Sequence, residues 1–353
     1  MNPSSAANPP GASPGDGDRR AAPPGGIGRR GLLRATVGLG ATAALGALGA
    51  VAGTGAASAS VAGIPTYRYL GTPFTAANLR YNPTGELIFP CIRGVYDKIS
   101  GPLGRYYLYY APHDAPGGIC LAYGDSLAGQ FTEYPNNPIV ARTWSGNYSV
   151  SHVSSPHVIW NAASRRFHLY FHGENHTTRL AWSSDGIHFT YVGTVLTTAA
   201  VPGSTETSYA RVFEHAVPGL GNTHIMVFMG VTSGTRKIFW GWSANGVDWQ
   251  FDPTPLVRPG PDGCTDIAAP SLLKANGTAY IVYHGNTGDM YLTEVGNGFD
   301  RENHLGLFHQ AIDGAPDLGR SASPSFGTDG GVRYMFYEAG PRLGATIAVA
   351  RAV

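Results

Sequence analysis

Five times along the chain a run of small residues, usually with a proline, leads into an apolar stretch. The runs are Phe89-Pro90-Cys91-Ile92, Ser155-Pro156-His157-Val158-Ile159-Trp160, Tyr209-Ala210-Arg211-Val212-Phe213, Ala269-Pro270-Ser271-Leu272-Leu273 and Ser323-Pro324-Ser325-Phe326. Their aligned positions 90, 156, 210, 270 and 324 lie 66, 54, 60 and 54 residues apart. Ten to twenty residues after each comes a second run: Tyr106–Tyr110, Phe167–Phe171, Ile225–Phe228, Tyr280–Tyr283 and Tyr334–Tyr337. These runs are aromatic and β-branched, as strands prefer. A third run ends at Ser183-Ser184-Asp185-Gly186 in the second unit and Ser243-Ala244-Asn245-Gly246 in the third. Asp-Gly and Asn-Gly supply the positive backbone angles of a tight hairpin, and the aromatic beyond each begins a fourth strand.

Units of three to four antiparallel strands are too small to bury both faces alone, so five of them are expected to pack radially into a single five-bladed β-propeller. Two separate sandwiches would show no common pattern at this period. Composition agrees with an all-β chain: 49 glycines, 26 prolines and 19 tyrosines in 353 residues, with only 13% charged residues, leave little for the polar faces of long helices.

Charge separates the N-terminal part from the rest. Residues 1–59 hold Arg19, Arg20, Arg29, Arg30 and Arg34 against Asp16 and Asp18, leaving 19 basic and 21 acidic residues beyond them. That balance argues against a nucleic-acid or anionic-membrane binder. Arg29-Arg30-Gly31-Leu32-Leu33 precedes a weakly apolar run from Thr36 to Ala57, followed by Ala57-Ser58-Ala59. This resembles a twin-arginine export signal with a small-residue cleavage site, so residues 1–59 read as a cleavable signal peptide and residues 60–353 as the propeller domain. A retained membrane anchor is the alternative, with the run long enough to span but poor in leucine. The expected product is a secreted monomer, free of membrane after cleavage. Cys91, Cys120 and Cys264 cannot all pair and read as buried thiols.

Inner strands of a propeller line a funnel, and side chains just before them converge at one mouth. Four residues before each aligned position stand Glu86, His152, Glu206, Asp266 and Arg320, an ionisable group in every unit. The alternative reading is solvated loop residues. Antiparallel pairing brings the ends of the second strands to the same mouth, adding His113, His172, His284 and Glu338, while His157 and Arg211 sit just inside the first strands. Imidazole and guanidinium groups can grip sugar hydroxyls, or equally form a buried polar support.

The runs Tyr106–Ala111, Gly118-Ile119-Cys120-Leu121-Ala122, Ser154–Trp160 and Ser183–Phe189 resemble the five-bladed propeller glycoside hydrolases, the superfamily of arabinanases, β-xylosidases, invertases and levansucrases, nearest to the family-43-like group. The likeness extends from about Arg80 to Val353. It implies hydrolysis of a glycosidic bond in a neutral oligo- or polysaccharide, furanoside or pyranoside, by a pair of carboxyl groups. By position it implies Glu86 as general base, Glu206 as a tuning acid and Asp266 as general acid, with His152 and Arg320 as binding groups on the remaining two blades. His113, His157, His172, His284, Arg211 and Glu338 are expected to bind substrate from their place at or just inside the mouth. One departure stands out: Phe89 occupies the place where that family carries an aspartate before the blade-one proline. A carbohydrate-binding propeller without turnover is therefore the alternative. Trp144 and Tyr148 could form an aromatic platform at the rim or pack within their loop. No phosphate loop, His-Glu-x-x-His, Cys-x-x-Cys or Gly-x-Ser-x-Gly motif is present, so no cofactor is implied beyond an optional cation in the channel.

Overall fold

The computed structural model describes residues 61–112, 114–312, 314–317 and 319–353. The signal peptide expected over residues 1–59 and the candidate ligand His113 lie outside the described residues. Five four-stranded antiparallel sheets form the blades of a β-propeller. Their innermost strands are Ile88–Gly94, Val153–Asn161, Ser204–Glu214, Ile267–Ala275 and Ser321–Asp329. Second strands follow at Tyr106–Ala111, Arg166–Gly173, His224–Thr232, Thr278–Gly285 and Val332–Ala339. In blade five the outermost strand is Tyr67–Gly71, paired antiparallel with Thr346–Ala352. The N-terminal end of the propeller thus completes its last blade and closes the ring.

Alternation along the strands explains why the blades pack. In blade one, Tyr106, Leu108 and Tyr110 face blade five and meet Tyr334 and Phe336. The intervening Tyr107 and Tyr109 face blade two and meet Phe167, Leu169 and Phe171. Comparable layers join blades two and three, three and four, and four and five. Each sheet is thereby buried on both faces, which accounts for the near-continuous apolar and aromatic second strands. The three cysteines are free and buried.

Every innermost strand breaks register at a shared place, and that of blade three also does so between Ser204 and Glu206. Pairing slips between Ile88 and Cys91, Ser154 and His157, Ser208 and Arg211, Ala268 and Ser271, and Ala322 and Ser325. The residues inside the slips, Phe89, Ser155, Tyr209, Ala269 and Ser323, all have positive φ, between 47° and 55°. Non-glycine residues avoid this conformation, so its fivefold recurrence marks a built-in bulge. It lies one residue before each position aligned in the sequence.

Candidate active site

Above the bulges the inner strands open into the mouth. Two adjoining cavities of about 280 Å³ and 40 Å³ occupy one side of it and share Arg236, Ala268, His284, Arg320 and Arg342. Asp266 borders the larger cavity; Glu86 and Glu338 border the smaller, over an apolar floor that includes Phe89 and Tyr209. Of the sequence candidates, Glu86, Asp266, His284, Arg320 and Glu338 therefore come together, drawn from blades one, four and five.

Charge in this corner is ordered by burial and pairing. Glu338 is 1% exposed; its Oε2 accepts a hydrogen bond from Arg320 Nη2 at 2.6 Å and its Oε1 accepts the Phe89 N–H at 3.1 Å. Burial alone would raise its pKa, but the Arg320 cation, with His284, brings the carboxyl down to about 2. Burial, with Arg320 beside it, also drives His284 down to about 3, so this imidazole is neutral. Glu86 behaves oppositely. Burial raises its pKa and the negative charge of Glu338 adds to the rise, against a lowering hydrogen bond from the Leu343 N–H at 2.8 Å. Two carboxyl groups of one small cavity thus have pKa values pushed apart, which keeps Glu338 ionised and favours a proton on Glu86. Asp266 is half-buried, its Oδ1 accepting the Arg236 N–H at 2.8 Å. Its loop is fixed by Asn286, whose Oδ1 accepts the backbone N–H groups of Thr265 and Asp266 at 2.9 and 3.2 Å.

The remaining candidates stand apart from these two cavities. Glu206 accepts a hydrogen bond from the Ser208 hydroxyl at 2.7 Å, and His152 lies 2.9 Å from the Ser151 hydroxyl. His172 packs edge-on against Phe89 and Tyr209 at centroid distances of 6.3 and 5.5 Å. His157 and Arg211 are buried deeper in the ring. Nε2 of His157 donates to the Val212 carbonyl at 2.8 Å, and Arg211 donates to the carbonyls of Ser323 and Pro324, tying blade three to blade five. Trp144 and Tyr148 pack together at 6.1 Å, and both lie against Tyr191.

Arg236 and Arg342 were not anticipated. Arg236 stands at the start of the third strand of blade three, Thr235–Ser243, and Arg342 in the loop between Val332–Ala339 and Thr346–Ala352 of blade five, whereas His284 and Glu338 sit near the ends of second strands. Among the described residues no group of three or more His, Cys, Asp or Glu side chains is placed to hold a metal ion.

The chain matches no protein-family model and no curated protein in sequence. Solved structures do match it in shape. A thermostable family-43 glycoside hydrolase superposes with a TM-score of 0.57 at 15% identity, covering 75% of this chain and 89% of that one. An alpha-L-arabinofuranosidase from Lactobacillus brevis gives 0.56 at 16% identity, covering 79% and 94%. A beta-1,2-mannobiose phosphorylase from Listeria innocua gives 0.57 at 13%, covering 81% and 96%. The likeness is one of fold. This chain has the five-bladed propeller fold of those enzymes, and its chemistry must be argued from its own residues.

Proposed function

We propose that the chain is an exported glycoside hydrolase acting on a neutral oligo- or polysaccharide. The observation that carries the reading is the pair Glu86 and Asp266, bordering adjoining cavities at the mouth with unlike surroundings. Glu86, whose pKa is raised by burial and by Glu338, suits the general acid that protonates the leaving oxygen. Asp266, more open and held by the Arg236 amide, suits the base that activates water or attacks the anomeric carbon. This reverses the roles implied by the family resemblance, and Glu338 takes the tuning role given there to Glu206, because its charge raises the pKa of Glu86 in the same small cavity. Arg236, Arg320 and Arg342 face Glu86, Asp266 and Glu338 across the two cavities, a balance suited to a sugar without net charge. His284 and the guanidinium groups supply hydrogen bonds to its hydroxyls.

The test is turnover of a panel of aryl glycosides and polysaccharides by the parent chain and by Glu86→Gln and Asp266→Asn. Each substitution should lower turnover by at least ~10² with the fold intact. Loss in neither variant rejects the pair. Phe89, buried in the apolar floor where the resembling enzymes carry an aspartate, favours a second reading: a carbohydrate-binding propeller. Saturable binding to the same sugars with no turnover by the parent chain would establish it.

We further propose export by the twin-arginine route. Arg29→Lys with Arg30→Lys should abolish secretion from a bacterium that carries that pathway, and unchanged secretion would refute it.

A further inference from the structure

The opposite face of the propeller carries a larger cavity, of about 810 Å³, far from the mouth. It is framed by the far ends of first strands, at Asn161, Glu214 and Lys274, and by the turn around Asn245 that the sequence marks with Asn-Gly. The first strand of blade two has nine residues, which at ~3.3 Å each separates the two faces by roughly 30 Å. A few sugar units at the mouth cannot reach this cleft.

Its wall has a defined hydrogen-bonding character. The hydroxyl of Ser164 donates to Asn161 Oδ1 at 3.1 Å, so its 3.3 Å contact with His168 Nε2 makes that nitrogen the donor. Likewise the Thr223 hydroxyl donates to the Ala244 carbonyl at 2.7 Å and accepts from His224 Nδ1 at 2.7 Å. The other nitrogens, His168 Nδ1 and His224 Nε2, are acceptors, and neither has a partner. His168 and His224 are 1% and 6% exposed. Buried acceptors without donors are unfavourable in a fold; both belong to rings that line the cleft, whose edge adds the hydrogen-bonding side chains of Asn161, Asn245 and Glu214. His215 donates its Nε2 proton to the Asn297 carbonyl at 3.0 Å. Burial lowers the pKa of all three rings, to about 4 for His168, so the wall is neutral around them. Glu214 and Lys274 oppose one another in charge. Trp182 adds an aromatic surface, steadied by the Arg166 guanidinium stacked 4.7 Å from its ring.

A neutral ligand rich in hydroxyl donors, with a C–H face for an indole, fits this wall. We propose that the cleft is a second saccharide-binding site, on the face opposite the mouth, holding a separate stretch of neutral glycan. The choice of saccharide among hydroxyl-rich neutral ligands rests on the carbohydrate reading above; the cleft itself does not.

The experiment is electrophoresis of the full chain in native gels cast with soluble arabinan, xylan or mannan, alongside turnover of a short aryl glycoside. Trp182→Ala removes the aromatic wall. Ala163→Leu with Ala216→Leu fills the cleft from exposed alanines and leaves the packing of Trp182 intact. Retardation of the parent by at least one polysaccharide is expected, with affinity falling roughly tenfold or more in both cleft variants. It should persist in Asp266→Asn, and turnover of the short glycoside should be unchanged in the cleft variants. Parent-like retardation of both cleft variants, or no retardation of the parent, overturns the second site. Retardation that depends on the cleft without turnover of any glycoside supports the second site and rejects the hydrolase. Turnover with retardation indifferent to the cleft does the reverse.

Discussion

The Glu86 carboxylate accepts the backbone N–H of Leu343 at 2.8 Å, so a group proposed for catalysis also holds the loop that covers it. Glu86 is 2% exposed, whereas Leu343 is 66% exposed and has φ of 68°, a conformation a leucine adopts only under constraint. The same loop places Arg342 against both cavities of the mouth.

Glu86→Gln therefore separates two roles. The amide oxygen still accepts the Leu343 N–H, so melting should stay near that of the parent while turnover falls by at least ~10². Glu86→Ala removes the acceptor and should cost about 1–3 kcal/mol in addition. Parent-like turnover in Glu86→Gln, with the alanine variant destabilised, would make Glu86 a loop anchor only.

Arg320 and Glu338 form a largely buried ion pair at the mouth, with side chains 21% and 1% exposed. Glu338→Gln keeps an acceptor for the Phe89 N–H but strands the Arg320 cation, and should cost about 3–5 kcal/mol by urea denaturation. Arg320→Met in that background should recover more than half of the loss. Additive losses in the double variant would show that the two side chains are not coupled.

The ring of blades was legible because each unit repeats a local signature: a small or proline-containing start, an aromatic second strand and a turn. Closure was not. Tyr67–Gly71 reads as a strand only through its pairing with Thr346–Ala352, a partner nearly the whole chain away. The candidate site was legible in part for a similar reason. Asp266 and Arg320 stand just before strands that begin at Ile267 and Ser321, and reach the cavity. Glu206 occupies the same aligned position, yet the blade-three strand begins at Ser204 and pairs Glu206 with Val231, drawing its backbone into the sheet. Arg236 and Arg342 escaped notice because they lie beyond the second-strand ends, one inside a third strand and the other in the loop before one, where no repeated position marks them.

Ring closure by Tyr67 is testable. Its ring is 4% exposed and lies 5.9 Å from Phe308 and 5.6 Å from Phe326, joining the edge of blade five to blade four. Tyr67→Ala should cost about 3–5 kcal/mol, as other large-to-small aromatic replacements do. Removing everything through Gly71 should cost more, and should expose Thr346–Ala352 as an open edge prone to self-association. A truncated chain with the parent's guanidinium midpoint would refute closure by this strand.

Acid should weaken the fold well before its carboxylates titrate. His284 and His168 are held neutral by burial, at about 3 and about 4 against an ordinary 6.5, and burial also lowers His157, His215 and His224. Between those limits the unfolded chain binds protons that the native chain refuses, so stability declines as pH falls from about 6.5 towards 3. His304 works the other way. Burial would lower its pKa, but Asp262 at 2.7 Å and Glu302 raise it, so its contribution is present in acid and is lost as pH rises through that raised value. Glu338, brought down to about 2, loses its contribution progressively as pH falls from the ordinary carboxyl range towards that value. The histidines resisting protonation outnumber the one favouring it, and urea midpoints measured from pH 8 to pH 4 should fall steadily below about 6.5. His168→Gln and His284→Gln should each lower the midpoint at pH 8 and make it less sensitive to pH below 6.5. A parent midpoint that is flat from pH 7 to pH 4 would mean that these rings take up protons without unfolding the ring of blades.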